Sequence, residues 1–222
     1  AIVTAGFAGT YVLMISVFNM VGRIFWASMS DFIGRKPTYF IFFSLGILLY
    51  LSIPFTAKAM SVDPIVTYLI LFYAASMVIF TMYGGGFATI PAYLADIFGT
   101  KYVGGIHGRL LTAWSTAGVL GPVAITQLRQ NSVDSAINDL VSKISPEKFT
   151  EIYGASIANL SLLVQEKTVT ISNLMPHMPS GTINPSTTLY NSTMFAMAGL
   201  LAIAFVSNLL IGPVNEKHHM KE

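Results

Sequence analysis

Apolar residues in this chain come in long blocks, each ended by a short cluster of charge, glycine or proline. Five blocks reach the roughly 20 residues needed to cross a hydrocarbon core as a helix, at residues 7–29, 38–56, 65–93, 105–128 and 189–212. The pattern predicts an all-α, polytopic membrane protein with five transmembrane helices. Residues 30–37 and the turn containing Lys58, Asp63 and Pro64 are short enough to make the first three spans antiparallel neighbours. Residues 129–187 form one long loop. Within it, Val133, Ile137, Leu140, Val141 and Ile144 recur at helical spacing, as do Phe149, Ile152, Tyr153, Leu160, Leu163 and Val164. Two short amphipathic helices at the membrane surface are the expectation, the second starting at Ser145-Pro146-Glu147. From about 168 to 187, Ser, Thr, Asn and Pro predict an irregular linker.

Composition sharpens this reading. Apolar residues make up 54% of the 222 and charged residues only 10%, against roughly 25% charge in soluble domains. A net charge of +2 without a basic patch argues against nucleic acid as a partner and leaves the lipid bilayer as the surroundings. Without cysteine there is neither a disulfide framework nor a thiolate metal site. No phosphate-binding loop, metal-ligand set or nucleophile–base pair stands out, so no cofactor, no metal and no enzymatic activity are expected. The chain starts at Ala1 inside an apolar stretch, which predicts an internal or C-terminal fragment of a longer protein.

Lysine and arginine near the span ends set the orientation. Arg35, Lys36, Lys101, Arg109, Lys217 and Lys221 fall on one side. The opposite side has Lys58 and Arg129 near spans, and its other lysines lie in the long loop. The first side is therefore expected to be cytoplasmic, with the C-terminus, and 129–187 external.

Within the spans, Arg23 is the residue that composition alone does not explain. Eight residues before Asp31, it lies roughly 12 Å inside that membrane edge, where a guanidinium costs about 2.5–3.5 kcal/mol to insert. Something anionic should meet it, either a substrate carboxylate or an acidic side chain from another domain. Ser16, Asn19 and Arg23 share a helical face, as do Arg109, Thr112 and Thr116; both faces are candidates to line a cavity. Tyr73, Ser76, Phe80 and Tyr83 form a stripe suited to helix packing or to substrate contact. Gly84, Gly85, Gly86 and Pro91 predict either a broken, gating helix or a close helix crossing. Ala113, Ala117 and Gly121 supply a small-residue seam. Arg109 suits a gate, a substrate contact or an interfacial anchor, and His107 a solvated surface group.

From Gly22 to Lys36 the sequence resembles the inter-helix loop motif of the major facilitator superfamily, with Asp31, Gly34, Arg35 and Lys36 in register and Ala27 in place of the first glycine. The physical logic is a tight turn in which glycine frees the backbone, aspartate meets a helix end or an arginine, and the basic pair holds the loop in the cytoplasm. The segments 83–99 and 106–122 are similar to the oxalate/formate antiporter group, itself like monocarboxylate carriers. The resemblance covers most of residues 7–128 and the last span. It implies spans eight to twelve of twelve, with the N-terminal half missing. It also implies alternating-access transport of a small carboxylate such as oxalate, formate, pyruvate or lactate, exchanged for another anion or moved with protons, across a plasma or bacterial inner membrane. Arg23, Asn19, Ser16, Tyr83 and Thr112 would then bind substrate, while Asp31, Gly34, Arg35, Lys36 and Arg109 would serve the cytoplasmic gate. The alternative is a non-transporting membrane sensor or assembly subunit of the same fold.

Overall fold

The computed structural model describes residues 5–62, 66–212, 214 and 215. Among them every regular element is helical. Four long helices come first: α1 (Ala5–Ile33), α2 (Arg35–Val62), α3 (Val66–Phe98) and α4 (Val103–Val141). Short ones follow: α5 (Pro146–Tyr153), α6 (Leu160–Gln165) and α7 (Ile171–Leu174), before a last long helix, α8 (Asn191–Leu210). Stretches Gly9–Ile33, Arg35–Met60, Val66–Phe98 and Pro185–Leu210 are long and apolar enough to cross a membrane. The chain is an all-α, multi-pass membrane protein. The turn at Asp63 and Pro64, and Lys217 and Lys221, lie outside the described residues.

The charged loop expected at residues 30–37 shrinks to one residue. Gly34, at φ 89°, ends α1 in the left-handed conformation, and its N–H donates to Ser30 O at 3.0 Å. Helix α2 begins at once, with Pro37 in the first turn, where no backbone donor is needed.

Tight packing of α1 on α3 rests on glycine. A Cβ built on Gly22 would overlap the Thr81 backbone, and one on Gly84 would overlap the Asn19 carbonyl. One on Gly85 would come within 2.5 Å of the Trp26 side chain. The small residues let the backbones touch, which is how helices associate where no water drives them together. Helix α3 accordingly runs unbroken through Gly84, Gly85, Gly86 and Pro91. Of the two readings of that segment the helix break is absent, and the close crossing accounts for Gly84 and Gly85, whereas a Cβ on Gly86 would meet open space. Trp26, Tyr39, Phe42 and Met82 close the core of α1, α2 and α3, with Trp26 and Phe42 edge to face at 4.9 Å.

Two contacts fix the directions of the helices. Arg35 at the α1–α2 turn reaches Asp96 near the end of α3, and Lys36 reaches the last carbonyls of α8. Both helices therefore end at the turn end of the bundle, so α8 begins at the far end. The chain between Phe98 and Asn191 has to pass from one end to the other, and α4, about 58 Å long, is the helix that does so. Ser132 of α4 stands 3.0 Å from Ser192 at the start of α8, marking where α4 clears the bundle. Its segment 105–128 carries His, Arg, Ser, Thr and several glycines, which keep it out of the four most apolar stretches.

Beyond Ser132 the chain folds into a small module with its own core. Ile137, Leu140 and Val141 of α4 pack with Ile144, Phe149, Leu163, Val169, Ile171, Leu174 and Leu189, and Phe149 and Leu174 are wholly buried. Ser145 caps α5 as expected, its Oγ accepting from Lys148 N at 3.3 Å, and Gly154 at φ 67° ends that helix. Two expectations are corrected. The first amphipathic segment is the continuation of α4, because nothing between Leu128 and Val141 breaks a helix. The irregular linker contains α7, capped by Thr170, and its Val169, Ile171 and Leu174 complete the core.

Candidate functional site

The polar ridge of α1 follows from the α1–α3 crossing. Gly22 and Trp26 face α3, which leaves Arg23 and Ser16 exposed beside that contact and Asn19 half-buried. Arg23 Nε donates to Asn19 Oδ1 at 3.3 Å, one turn away. No carboxylate among the described residues pairs with this guanidinium. A cation ten residues inside a span thus has one neutral partner and spare donors.

Tyr83 and Thr112 stand elsewhere. Thr81, Gly84 and Gly85 face α1, and at about 100° per residue Tyr83 points to nearly the opposite side of α3. Its ring lies 5.3 Å from Phe87 and 5.7 Å from Trp114 of α4, forming an aromatic lip. Thr112 is exposed on α4, its hydroxyl donating to Arg109 O at 2.6 Å, and Arg109 is exposed beside it. Among the described residues no hydrogen bond or ring contact joins Arg23, Asn19 or Ser16 to Tyr83 or Thr112. Behind the lip, α2, α3, α4 and α8 enclose an almost wholly apolar cleft of about 520 Å³. His107 is among its lining residues, with Nδ1 shielded and without a hydrogen-bond partner among the described residues, unlike the solvated group expected from the sequence.

At the turn end the loop motif forms a clamp. Arg35 donates to Ser30 Oγ and to Asp31 Oδ1 at 2.5 Å, and its Nε lies 3.7 Å from Asp96 Oδ2. The arginine side chain is only 17% exposed, while Asp31 and Asp96 are 63% and 61% exposed, so a sheltered fork meets carboxylates that water still reaches. Lys36 Nζ donates to Leu209 O at 2.9 Å and Ile211 O at 2.6 Å, neutralising the carbonyl end of α8. Buried Asn208 donates to Lys36 O at 3.2 Å and accepts from Tyr93 Oη at 3.0 Å. Asp96, Asn208 and Tyr93 were missed from sequence. An asparagine inside the last apolar span was the available signal, since an amide at membrane depth needs partners.

Comparison with known proteins gives one informative likeness. The chain is 30% identical to the oxalate:formate antiporter of Oxalobacter formigenes over 117 residues, 51% of this chain and 26% of that protein. The match therefore spans about a quarter of the relative's length. No protein-family model matches the chain, and no solved structure does. The likeness supports a transport function in general.

Proposed function

We propose that this chain is the C-terminal part of a secondary active transporter that moves a small organic anion of the oxalate, formate, pyruvate or lactate kind by alternating access. The observation that carries the reading is Arg23, a guanidinium deep in a span whose one partner among the described residues is the neutral Asn19. A planar cation with free donors is the natural receptor for a carboxylate, which it can grip through two parallel hydrogen bonds. Asn19 orients the guanidinium, and Ser16 extends the polar ridge by one turn. Tyr83 and Thr112 enter as a second surface at the α3–α4 seam rather than as neighbours of Arg23. Helix α4 also spans the membrane, bringing the number of spans to five, and the turn end, with Arg35, Lys36, Lys101 and Arg109, faces the cytoplasm. There Asp31, Gly34, Arg35 and Lys36 hold the helix ends together, and Arg109 sits at the entrance. The other half of the pathway comes from the rest of the transporter, and the substrate exchanges for a second anion or moves with protons.

The test is carboxylate exchange by the reconstituted full-length transporter. Arg23→Gln should abolish exchange, and Arg23→Lys should keep the charge but lower the rate at least about tenfold, because an ammonium cannot reproduce the fork. Melting curves of each variant separate loss of function from loss of fold. Wild-type exchange in folded Arg23→Gln would reject the assignment.

A further inference from the structure

The module beyond Ser132 carries a groove that the transport reading does not use. It has a volume of about 1160 Å³ and lies between the projecting part of α4 and the chain from Ile157 to Ser172. Its floor is apolar, with Val133, Leu160, Val164 and Leu189 among its walls, while side-chain amides and hydroxyls line much of the rest. Two cations line it, Arg129 and Lys167. Neither has a carboxylate partner among the described residues; Arg129 lies over the Tyr190 ring at 5.7 Å. The one acid in the lining, Asp134, accepts from the Gln130 amide at 2.8 Å.

Lys167 is placed in an unusual way. Among the described residues it is the one non-glycine with positive φ, at 59°, where the chain turns after α6. Its own N–H donates to Val164 O and the next N–H to Leu163 O, the pattern in which a glycine ordinarily ends a helix. A lysine here therefore keeps a long cation on the groove at a position whose backbone would suit glycine better, and such departures concentrate at functional positions.

We propose that this groove is a second ligand site, separate from Arg23, that binds a monocarboxylate bearing an apolar body. Arg129 and Lys167 take the carboxylate, and the apolar floor covers the hydrocarbon. A bare dianion such as oxalate has no hydrocarbon to bury there and binds less well.

The chain in lipid nanodiscs is titrated with acetate, butanoate, hexanoate and the uncharged hexanamide by equilibrium dialysis, with empty nanodiscs subtracted. Saturable binding should strengthen about three- to fourfold per added methylene, and hexanamide should bind at least about tenfold more weakly than hexanoate. Arg129→Gln and Lys167→Gly should each weaken hexanoate at least about tenfold. Lys167→Gly should melt no lower than wild type, since glycine suits the left-handed backbone, so its loss of binding is not a loss of fold. Repeated in the Arg23→Gln background, where the transport site no longer grips a carboxylate, the series should keep its dependence on chain length and its loss with Lys167→Gly, which keeps this site's fate distinct from that of the transport reading. No saturable binding, equal binding of hexanamide, unchanged binding in folded Lys167→Gly, or disappearance of the chain-length series in the Arg23→Gln background would each overturn the proposal.

Discussion

At the scale of single residues, two buried polar atoms show what position can ask of a side chain. Asn208 satisfies its amide at both ends, but the Tyr153 hydroxyl in the module is shielded and has no hydrogen-bond partner among the described residues. Burial raises its pKa above the ordinary tyrosine value of 10.0. As pH climbs past about 10 the unfolded chain ionises first and holds fewer protons than the folded one, so stability falls there and is fully retained below. Tyr153→Phe removes an unsatisfied hydroxyl while keeping the ring beside Phe149, whose centroid is 4.9 Å away. Urea titration of module unfolding should show the variant at least as stable at pH 7, with a smaller loss between pH 9 and pH 11. A clear loss of stability at pH 7 would mean that the hydroxyl is hydrogen-bonded, against the arrangement described. Residue patterns made Arg23 and the motif around Gly34 conspicuous, because a charge in a span and a glycine between two helices each break the local rule. Asp96 and Lys167 broke none, since their roles arise from partners 61 residues distant in sequence or from backbone angles.

At the scale of elements, Gly84 and Gly86 have identical side chains and opposite surroundings. A Cβ on Gly84 strikes the backbone of α1, whereas a Cβ on Gly86 meets open space. Gly84→Ala should therefore cost about 1–3 kcal/mol through overpacking, despite the better helix propensity of alanine. Gly86→Ala should be neutral or gain up to about 1 kcal/mol. Thermal melts of the two variants in one detergent make the comparison, and equal shifts would contradict the crossing described for α1 and α3. The sequence showed that these glycines mattered but left a gating break and a close crossing both open. What decides is the register of the facing helix, with Asn19 and Gly22 opposite, and a single helix's own pattern contains no such information. Caps were more legible: Ser145 and Gly154 act through neighbours within four residues, and α5 begins where its sequence says. The continuity of α4 was hidden because its amphipathic end looks like a separate helix when the apolar segment before it is taken to stop at the membrane.

At the scale of the molecule, the direction of α4 decides the topology. Arg35 near Asp96 and Lys36 on the α8 carbonyls put the ends of α3 and α8 beside the α1–α2 turn, and the Ser132–Ser192 contact puts the module at the other end. One crossing is required between Phe98 and Asn191, and α4, though less apolar than the other four long helices, has to make it. The prediction is five crossings, with the turn end and the module on opposite faces of the membrane. Since the chain lacks cysteine, single cysteines report without background. Introduced at Thr100 and at Ser172, they should differ in intact cells, with the module position labelled by an impermeant maleimide and the turn-end position labelled after permeabilisation. The basic residues at the turn end set that sense. Labelling of both positions from the same face would mean that α4 does not cross, and the contacts that orient α3 and α8 would then be wrong. Labelling with the two positions exchanged would leave five crossings intact and invert the orientation alone. The first outcome tests packing and the second tests charge bias, so one pair of cysteines separates the part of the topology fixed by helix contacts from the part fixed by lysine and arginine.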